Sequence, residues 1–206
     1  MKILQTDHRK IEITHPKKTM FPGKLLTKED LVGYYRKIAP YMIPHLEGRP
    51  MMIHRYPGGI GGSDFYQKEV QDHYPDWIDT IRVKVKKTGK ATQELVDARS
   101  AATLLYLANQ GMITPHTWLS RKGSLQHPDK MVYDLDPPGD DFSLVRYGAH
   151  DLKKLLEQVG ITPFIMTTGS SGLHLVVPLD ANTSFDKVRD FARRVAKFLA
   201  DDSPEK

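Results

Sequence analysis

Three observations place this 206-residue chain in the α+β class. Strand-like runs are joined by turn-rich stretches that fold them back as hairpins, at residues 57–62 and in Gly169-Ser170-Ser171-Gly172. Amphipathic segments with helical spacing occur, but they do not alternate with strands as parallel βαβ units would. The length suffices for a sizeable core, and no Pro/Gly/Ser linker, repeat or low-complexity block interrupts it, so residues 1–206 read as a single domain.

The elements follow in order. Residues 10–14 alternate as a short strand, and residues 16–24 read as a basic loop. Thr27 suits a helix N-cap, with Asp30 three residues on and Leu31, Tyr34, Tyr35 and Ile38 at helical spacing. That helix is expected to run to about Pro40 or a little beyond, because proline lacks an N–H and clashes with the preceding turn. Residues 51–54, 65–70 and 79–85 are strand candidates, the last alternating Ile81, Val83 and Val85. A helix over 100–110 is capped by Ser100 and stopped by Gly111, and a strand over 113–119 follows.

Residues 131–135 read as a buried strand ending at Pro137-Pro138-Gly139. An amphipathic helix then starts at Asp141 or Ser143, runs to Gln158 through Leu144, Leu152, Leu155 and Leu156, and ends at Gly160. Strands over 161–167 and 173–179 flank the Gly-Ser turn. A last helix over 184–199 carries Phe185, Val188, Phe191, Val195 and Phe198, followed by a polar stop from Asp201 to Lys206. Trp77 and Trp118 read as core residues.

Composition sets the outer limits. No apolar run is long enough to span a bilayer, which argues against a membrane partner, and no signal-peptide pattern opens the chain. The absence of cysteine excludes disulfides and thiolate metal sites, and a reducing cytoplasm is a natural home. Lysine and arginine number 30 against 25 aspartate and glutamate, a net charge of +5 compatible with a polyanionic partner. The basic residues cluster, with Lys17, Lys18, Lys24 and Lys28 in one group and Lys84, Lys86, Lys87 and Lys90 in another.

Two constellations carry chemistry. In Val132-Tyr133-Asp134-Leu135-Asp136-Pro137 the two aspartates are two apart on a strand, so they face one side about 6–7 Å apart, with Leu135 facing the core. Paired carboxylates repel unless a cation lies between them, and oxygen ligands suit Mg²⁺ or Mn²⁺. The same pair also fits a solvated strand end. In Thr167-Thr168-Gly169-Ser170-Ser171-Gly172-Leu173-His174, small residues in a strand–turn–strand can offer backbone N–H groups to a phosphate, and His174 can donate to it. A plain hairpin turn needs the same residues. Both candidates follow predicted strands separated by one helix and one strand, so those strands can lie side by side.

These two motifs resemble the first two motifs of the archaeo-eukaryotic primase superfamily, and more narrowly the polymerase domain of the prokaryotic end-joining ligase, ligase D. Lys18-Thr19-Met20-Phe21-Pro22, Gly48-Arg49-Pro50, Arg55-Tyr56-Pro57, Phe65-Tyr66-Gln67-Lys68, His116-Thr117-Trp118-Leu119-Ser120-Arg121 and His127-Pro128-Asp129 extend the resemblance from about Ile11 to Leu199. It implies a primase-like catalytic core of mixed sheets flanked by helices. It further implies metal-dependent, template-directed nucleotide addition in non-homologous end joining, with ribonucleotides preferred, in a nucleoid-associated cytoplasmic protein.

By the same resemblance, Asp134 and Asp136 hold two Mn²⁺ or Mg²⁺ ions, and Thr168, Ser170, Ser171, Gly172 and His174 bind the incoming triphosphate. His116 lies near the ribose, although it also fits a packed strand histidine. Lys18 and Lys28 grip the 5′-phosphate at a break or gap, and Phe65 and Tyr66 stack template bases, each stack contributing about 1–3 kcal/mol. The implied partners are broken or gapped DNA, nucleoside triphosphates, a DNA ligase and Ku.

The chain departs from the pattern at two places. Ser171 stands where the family has lysine, which weakens neutralisation of the triphosphate. The family's third metal-binding aspartate lies on a strand after the last predicted helix, so the chain reads as the N-terminal and central part of the domain; Asp201 and Asp202 fall in a polar tail and not on a strand. A non-catalytic DNA-end-binding module and a replicative-type primase remain as alternatives, the second disfavoured by the 5′-phosphate lysines.

Overall fold

The computed structural model describes residues 2–85 and 91–202, so Lys86, Lys87 and Lys90 of the second basic cluster lie outside the described residues. The chain forms two compact units, Met1–Trp118 and Leu119–Lys206.

In the N-terminal unit, strands β1 (Lys2–Thr6) and β2 (Arg9–Ile13) form a hairpin. Part of the expected basic loop is ordered as β3 (Thr19–Phe21), a 3₁₀ turn over Pro22–Lys24, and β4 (Leu26–Thr27), which pairs back on β3. Helix α1 (Lys28–Leu46) begins as the sequence requires: the Thr27 hydroxyl accepts from the Asp30 N–H while the Asp30 carboxylate accepts from the Thr27 N–H. It then passes through Pro40 and Pro44 and continues a full turn further than expected. Leu46 is buried, Met42 and Ile43 pack on the same core, and the Glu47 N–H reaches the Ile43 carbonyl, so packing holds the last turn despite two missing donors.

A five-stranded antiparallel sheet is built around β5 (Met51–Arg55). Strand β9 (Met112–Thr117) runs along one edge of it; the other edge is shared by β6 (Phe65–Gln67) and β8 (Thr92–Val96), with β7 (Thr80–Lys84) beyond β8. Pro115 is tolerated because β9 pairs on one side alone. Strand β6 stops at Gln67, short of the expected residue 70, where the Gln67 amide turns to the Glu69 carbonyl and the Tyr74 hydroxyl. Helix α2 (Ala101–Asn109), capped by Ser100, packs with α1 over a core that includes Ile13, Val32, Tyr35, Ile53, Leu104 and Met112. Trp77 and Trp118 are half-buried; Trp77 packs against the margin of this core and lies beneath the Arg9 guanidinium, 4.7 Å from the ring centre, while Trp118 is not among the residues that form it.

In the C-terminal unit, β10 (Lys130–Leu135), β12 (Leu173–Pro178) and β11 (Phe164–Thr167) pair antiparallel in that spatial order. Strand β10 is not buried on both faces: Met131 and Tyr133 turn to the core while Asp134 turns to solvent. Strand β11 begins three residues later than expected, just past Pro163. Helices α3 (Phe142–Gln158) and α4 (Phe185–Asp202) pack on the core face, where Tyr133, Leu152, Leu156 and Leu175 are buried. Asp201 therefore sits in the last turn of α4, not in a polar tail.

Candidate active site

The two acid and phosphate motifs of the C-terminal unit lie on directly paired strands. Asp134 is opposite His174 and Leu135 opposite Leu173, which continues the register to Asp136 and Gly172 just beyond the strand ends. His174 Nε2 is 3.0 Å from Asp134 Oδ1, while its Nδ1 is buried without a hydrogen-bond partner. A Cβ at position 172 would lie 2.4 Å from Asp136 Oδ1 and 2.6 Å from the Leu135 carbonyl oxygen. Only glycine lets the two strand ends close so far. Both carboxylates thus run along β12, and Asp134 is 63% exposed.

The turn between β11 and β12 is self-bonded. The Thr168 hydroxyl donates to the Gly172 carbonyl at 3.0 Å and accepts from the Ser170 N–H at 3.2 Å. Thr168 therefore shapes the turn, and Ser170 and Ser171 stand at its exposed tip. Among the described residues no group of three or more histidine, aspartate or glutamate side chains converges on a metal-sized site. The donors present, two carboxylates facing solvent beside a histidine, fit a hard divalent cation that takes its remaining ligands from substrate phosphates and water.

The N-terminal unit gathers cations. Lys28 is 8% exposed, and its ammonium donates to Thr14 Oγ1 at 3.3 Å. Lys18 donates to the Pro57 carbonyl at 2.5 Å, and the Lys28 N–H to the Lys18 carbonyl, which ties β3 and β4 together at this point. Burial, then Lys18 and Arg55, push the Lys28 pKa below the usual lysine value. The bend at 57–62 docks on β3 at Gly59, where a Cβ would meet the Thr19 carbonyl oxygen at 2.8 Å. Arg55 is held by the Gln110 carbonyl and Gln67 Oε1 at 2.9 and 2.6 Å, with its guanidinium 5.2 Å from the centre of the Phe65 ring.

Phe65 and Tyr66 are both exposed, at 45% and 52%. Tyr66 stacks on His54, ring centres 4.1 Å apart and planes 15° apart, and meets His116 edge-on at 5.4 Å. His116 Nε2 is buried without a partner; burial and then His54 lower its pKa, which favours the neutral ring. The family resemblance picked out Phe65, Tyr66 and His116 and included Arg55 and Tyr56 in a motif without a role, but His54 and Asp64 were passed over. The available signal was the period-two spacing of His54 and Tyr56 in a strand next to a glycine-rich bend.

Residues 27–206 match the family described as LigD, primase-polymerase domain, and the chain belongs to that family. It is 30% identical over 202 residues to a multifunctional non-homologous end joining protein LigD of Mycolicibacterium smegmatis, covering 96% of this chain and 26% of that protein. It is also 30% identical to the bifunctional LigD of Bacillus subtilis, covering 96% and 31% respectively. The chain thus spans about a quarter to a third of the length of these relatives. The polymerase domain from Mycobacterium tuberculosis ligase D, solved in complex with DNA, superposes with a TM-score of 0.87 at 30% identity, covering 94% of this chain and 70% of that one. The α+β, primase-like fold expected from the sequence is the fold observed.

Proposed function

We propose that the chain is the polymerase part of a bacterial end-joining machine. It adds nucleotides, ribonucleotides in preference, to 3′ ends at double-strand breaks and 5′-phosphorylated gaps, directed by a template. The observation that carries this reading is the pairing of Asp134 with His174 and of Asp136 with Gly172 on adjacent strand ends.

Asp134 and Asp136 would hold Mn²⁺ or Mg²⁺. When bound, a metal pair supplies charge that favours ionisation of the primer 3′-hydroxyl and offsets charge on the departing pyrophosphate. His174 Nε2, released from Asp134, would donate to a triphosphate oxygen, and Ser170, Ser171 and Gly172 line the same turn. His116 offers a neutral imidazole to the ribose, Lys18 and Lys28 take the downstream 5′-phosphate, and Phe65 and Tyr66 stack template bases. The reading implies nucleoside triphosphates, a DNA ligase and Ku as partners, in the bacterial cytoplasm. Among the described residues no helix is long and apolar enough to cross a membrane.

The test is extension of a gapped duplex, with and without a 5′-phosphate at the gap, in Mn²⁺ and ribonucleotides. Asp134→Ala combined with Asp136→Ala is expected to reduce extension by at least about 10³-fold while DNA binding stays within about twofold. Normal extension by the double variant overturns the reading. A wild-type chain that binds gapped DNA but never extends it makes the chain an end-binding module.

A further inference from the structure

His54 occupies the centre of a polar ring cluster whose members Tyr66 and His116 have roles above, while His54, Tyr56 and Asp64 have none. Alternation along β5 buries Ile53 and turns Met52 and His54 to the opposite face. Register then places His54 directly across from Tyr66 on β6, and Met52, two residues back, across from His116 on β9. The His54 ring is therefore flanked on both sides: Tyr66 stacks on it at 4.1 Å, and His116 lies 6.2 Å away. Tyr56, two residues on along the chain, lies at 4.5 Å, its hydroxyl 3.5 Å from His54 Nδ1. Asp64, at the mouth of the glycine-rich bend, places Oδ2 2.5 Å from His54 Nε2.

A histidine bonded at one nitrogen to a carboxylate has a fixed ring rotation, and the position of every group stacked on it is fixed in turn. Tyr66 is 52% exposed, yet its plane lies within 15° of His54, an alignment that a solvent-facing side chain holds only against a fixed support. The Asp64 carboxylate also acts on its neighbours: the Tyr56 hydroxyl is held above its usual pKa by burial, then by Asp64 and Tyr66. His116 meets Tyr66 edge-on and keeps a buried Nε2 without a partner, which is the atom a ligand hydroxyl can reach.

We propose that Asp64 and His54 form a positioning pair: Asp64 locks the His54 ring, His54 fixes Tyr66, and the edge of Tyr66 holds His116 towards the ribose of one nucleotide. The inference rests on the reading that the chain takes nucleotides, and it identifies what makes that uptake selective for the ribose 2′-hydroxyl. A surface ion pair with no such role would affect stability slightly and leave sugar selectivity alone.

The experiment compares the full chain with Asp64→Ala and His54→Phe, measuring ATP and dATP binding by equilibrium dialysis and, separately, KM and kcat for gap extension with each nucleotide. Asp64→Ala is expected to weaken ATP about fivefold with dATP unchanged, and to raise KM for ATP with kcat within about twofold. His54→Phe keeps a ring beneath Tyr66 but cannot be held by Asp64, and it is expected to lose the same selectivity. The ¹⁵N chemical shifts of the His116 imidazole should move in both variants. A folded Asp64→Ala chain with the wild-type ATP-to-dATP ratio and an unmoved His116 signal overturns the inference, as does a wild-type chain that binds both nucleotides equally. Because dialysis requires no extension, a wild-type chain that prefers ATP but extends nothing sinks the polymerase reading while supporting this one.

Discussion

In the N-terminal unit the charged side chains of interest are tied to neighbours: Lys18 to the Pro57 carbonyl, Lys28 to Thr14, Arg55 to Gln67 and Gln110, and His54 to Asp64. In the C-terminal unit the acids face solvent, and Asp134 has an ionic contact with a histidine on the next strand. Under the proposed function, the contrast follows from what each unit would bind. A phosphate or a base is recognised by groups fixed before it arrives, so prior ordering lowers the entropy lost on binding. Carboxylates meant for a divalent cation must stay accessible, and rigid salt bridges would compete with the metal. The charged groups of the N-terminal unit are fixed by their neighbours, whereas the acids of the C-terminal unit stay open to solvent.

The strongest way to break this comparison is to disturb the one rigid feature of the acidic site. Gly172→Ala would bring a methyl group to 2.4 Å from Asp136 Oδ1 and 2.6 Å from the Leu135 carbonyl oxygen. The carboxylate can rotate away, but the backbone carbonyl cannot, so β10 and β12 must part at their ends. Misplacing a catalytic group by an ångström reduces turnover by about 10²-fold, and that loss is expected in gap extension. Overpacking should lower stability by about 1–3 kcal/mol, read by thermal melting. Extension within twofold of wild type would show that the placement of Asp136 tolerates movement, and the acidic site would then lack any rigid element.

Lys28→Met sharpens the other half. Lys28 is pushed below the usual lysine pKa by burial, then by Lys18 and Arg55. The folded chain therefore binds fewer protons than the unfolded chain between the lowered value and the ordinary one, and wild-type stability should rise with pH across that window. Below it, the buried cation is a liability. Replacing it with methionine, which keeps the apolar stem, is expected to flatten the pH dependence and add about 1 kcal/mol at neutral pH. The same change should remove the preference for a 5′-phosphorylated gap, about tenfold in affinity. A variant both less stable and undiminished in phosphate preference would mean that Lys28 is structural.

Legibility from sequence followed the same division. Local signals were readable: the Thr27–Asp30 capping box, the Ser100 cap, the stop at Gly160 and the alternation around Asp134 all depend on residues within one turn or strand. That β10 and β12 can lie side by side was also legible, because one helix and one strand separate the two turn-bounded runs; that they pair, and in which register, came from the structure. Helix α1 beyond Pro40 was not, since only the burial of Leu46 and its neighbours overrides two prolines. The His54 cluster escaped for a different reason. His54, Asp64 and His116 are far apart in sequence and meet only through the register of β5 with β6 and β9, and no periodicity encodes a cross-strand register.

The smallest expected effect tests whether the two faces of β10 are separable. Tyr133 precedes Asp134 and points to the core, where it is 8% exposed and its hydroxyl has no hydrogen-bond partner. Burial pushes its pKa up to about 12, so the group stays neutral across the working range and contributes no pH dependence there. An unpaired buried hydroxyl forfeits hydration without a return bond, so Tyr133→Phe is expected to stabilise the chain by up to about 1 kcal/mol, with Tm rising a few degrees. Gap extension should stay within twofold, because the ring still supports the strand while Asp134 faces the other way. A loss of stability would mean that the hydroxyl bonds a buried water. A loss of extension without loss of stability would mean that the core face of β10 sets the angle of Asp134, and the solvent-facing acids would then be as preorganised as the cations of the other unit.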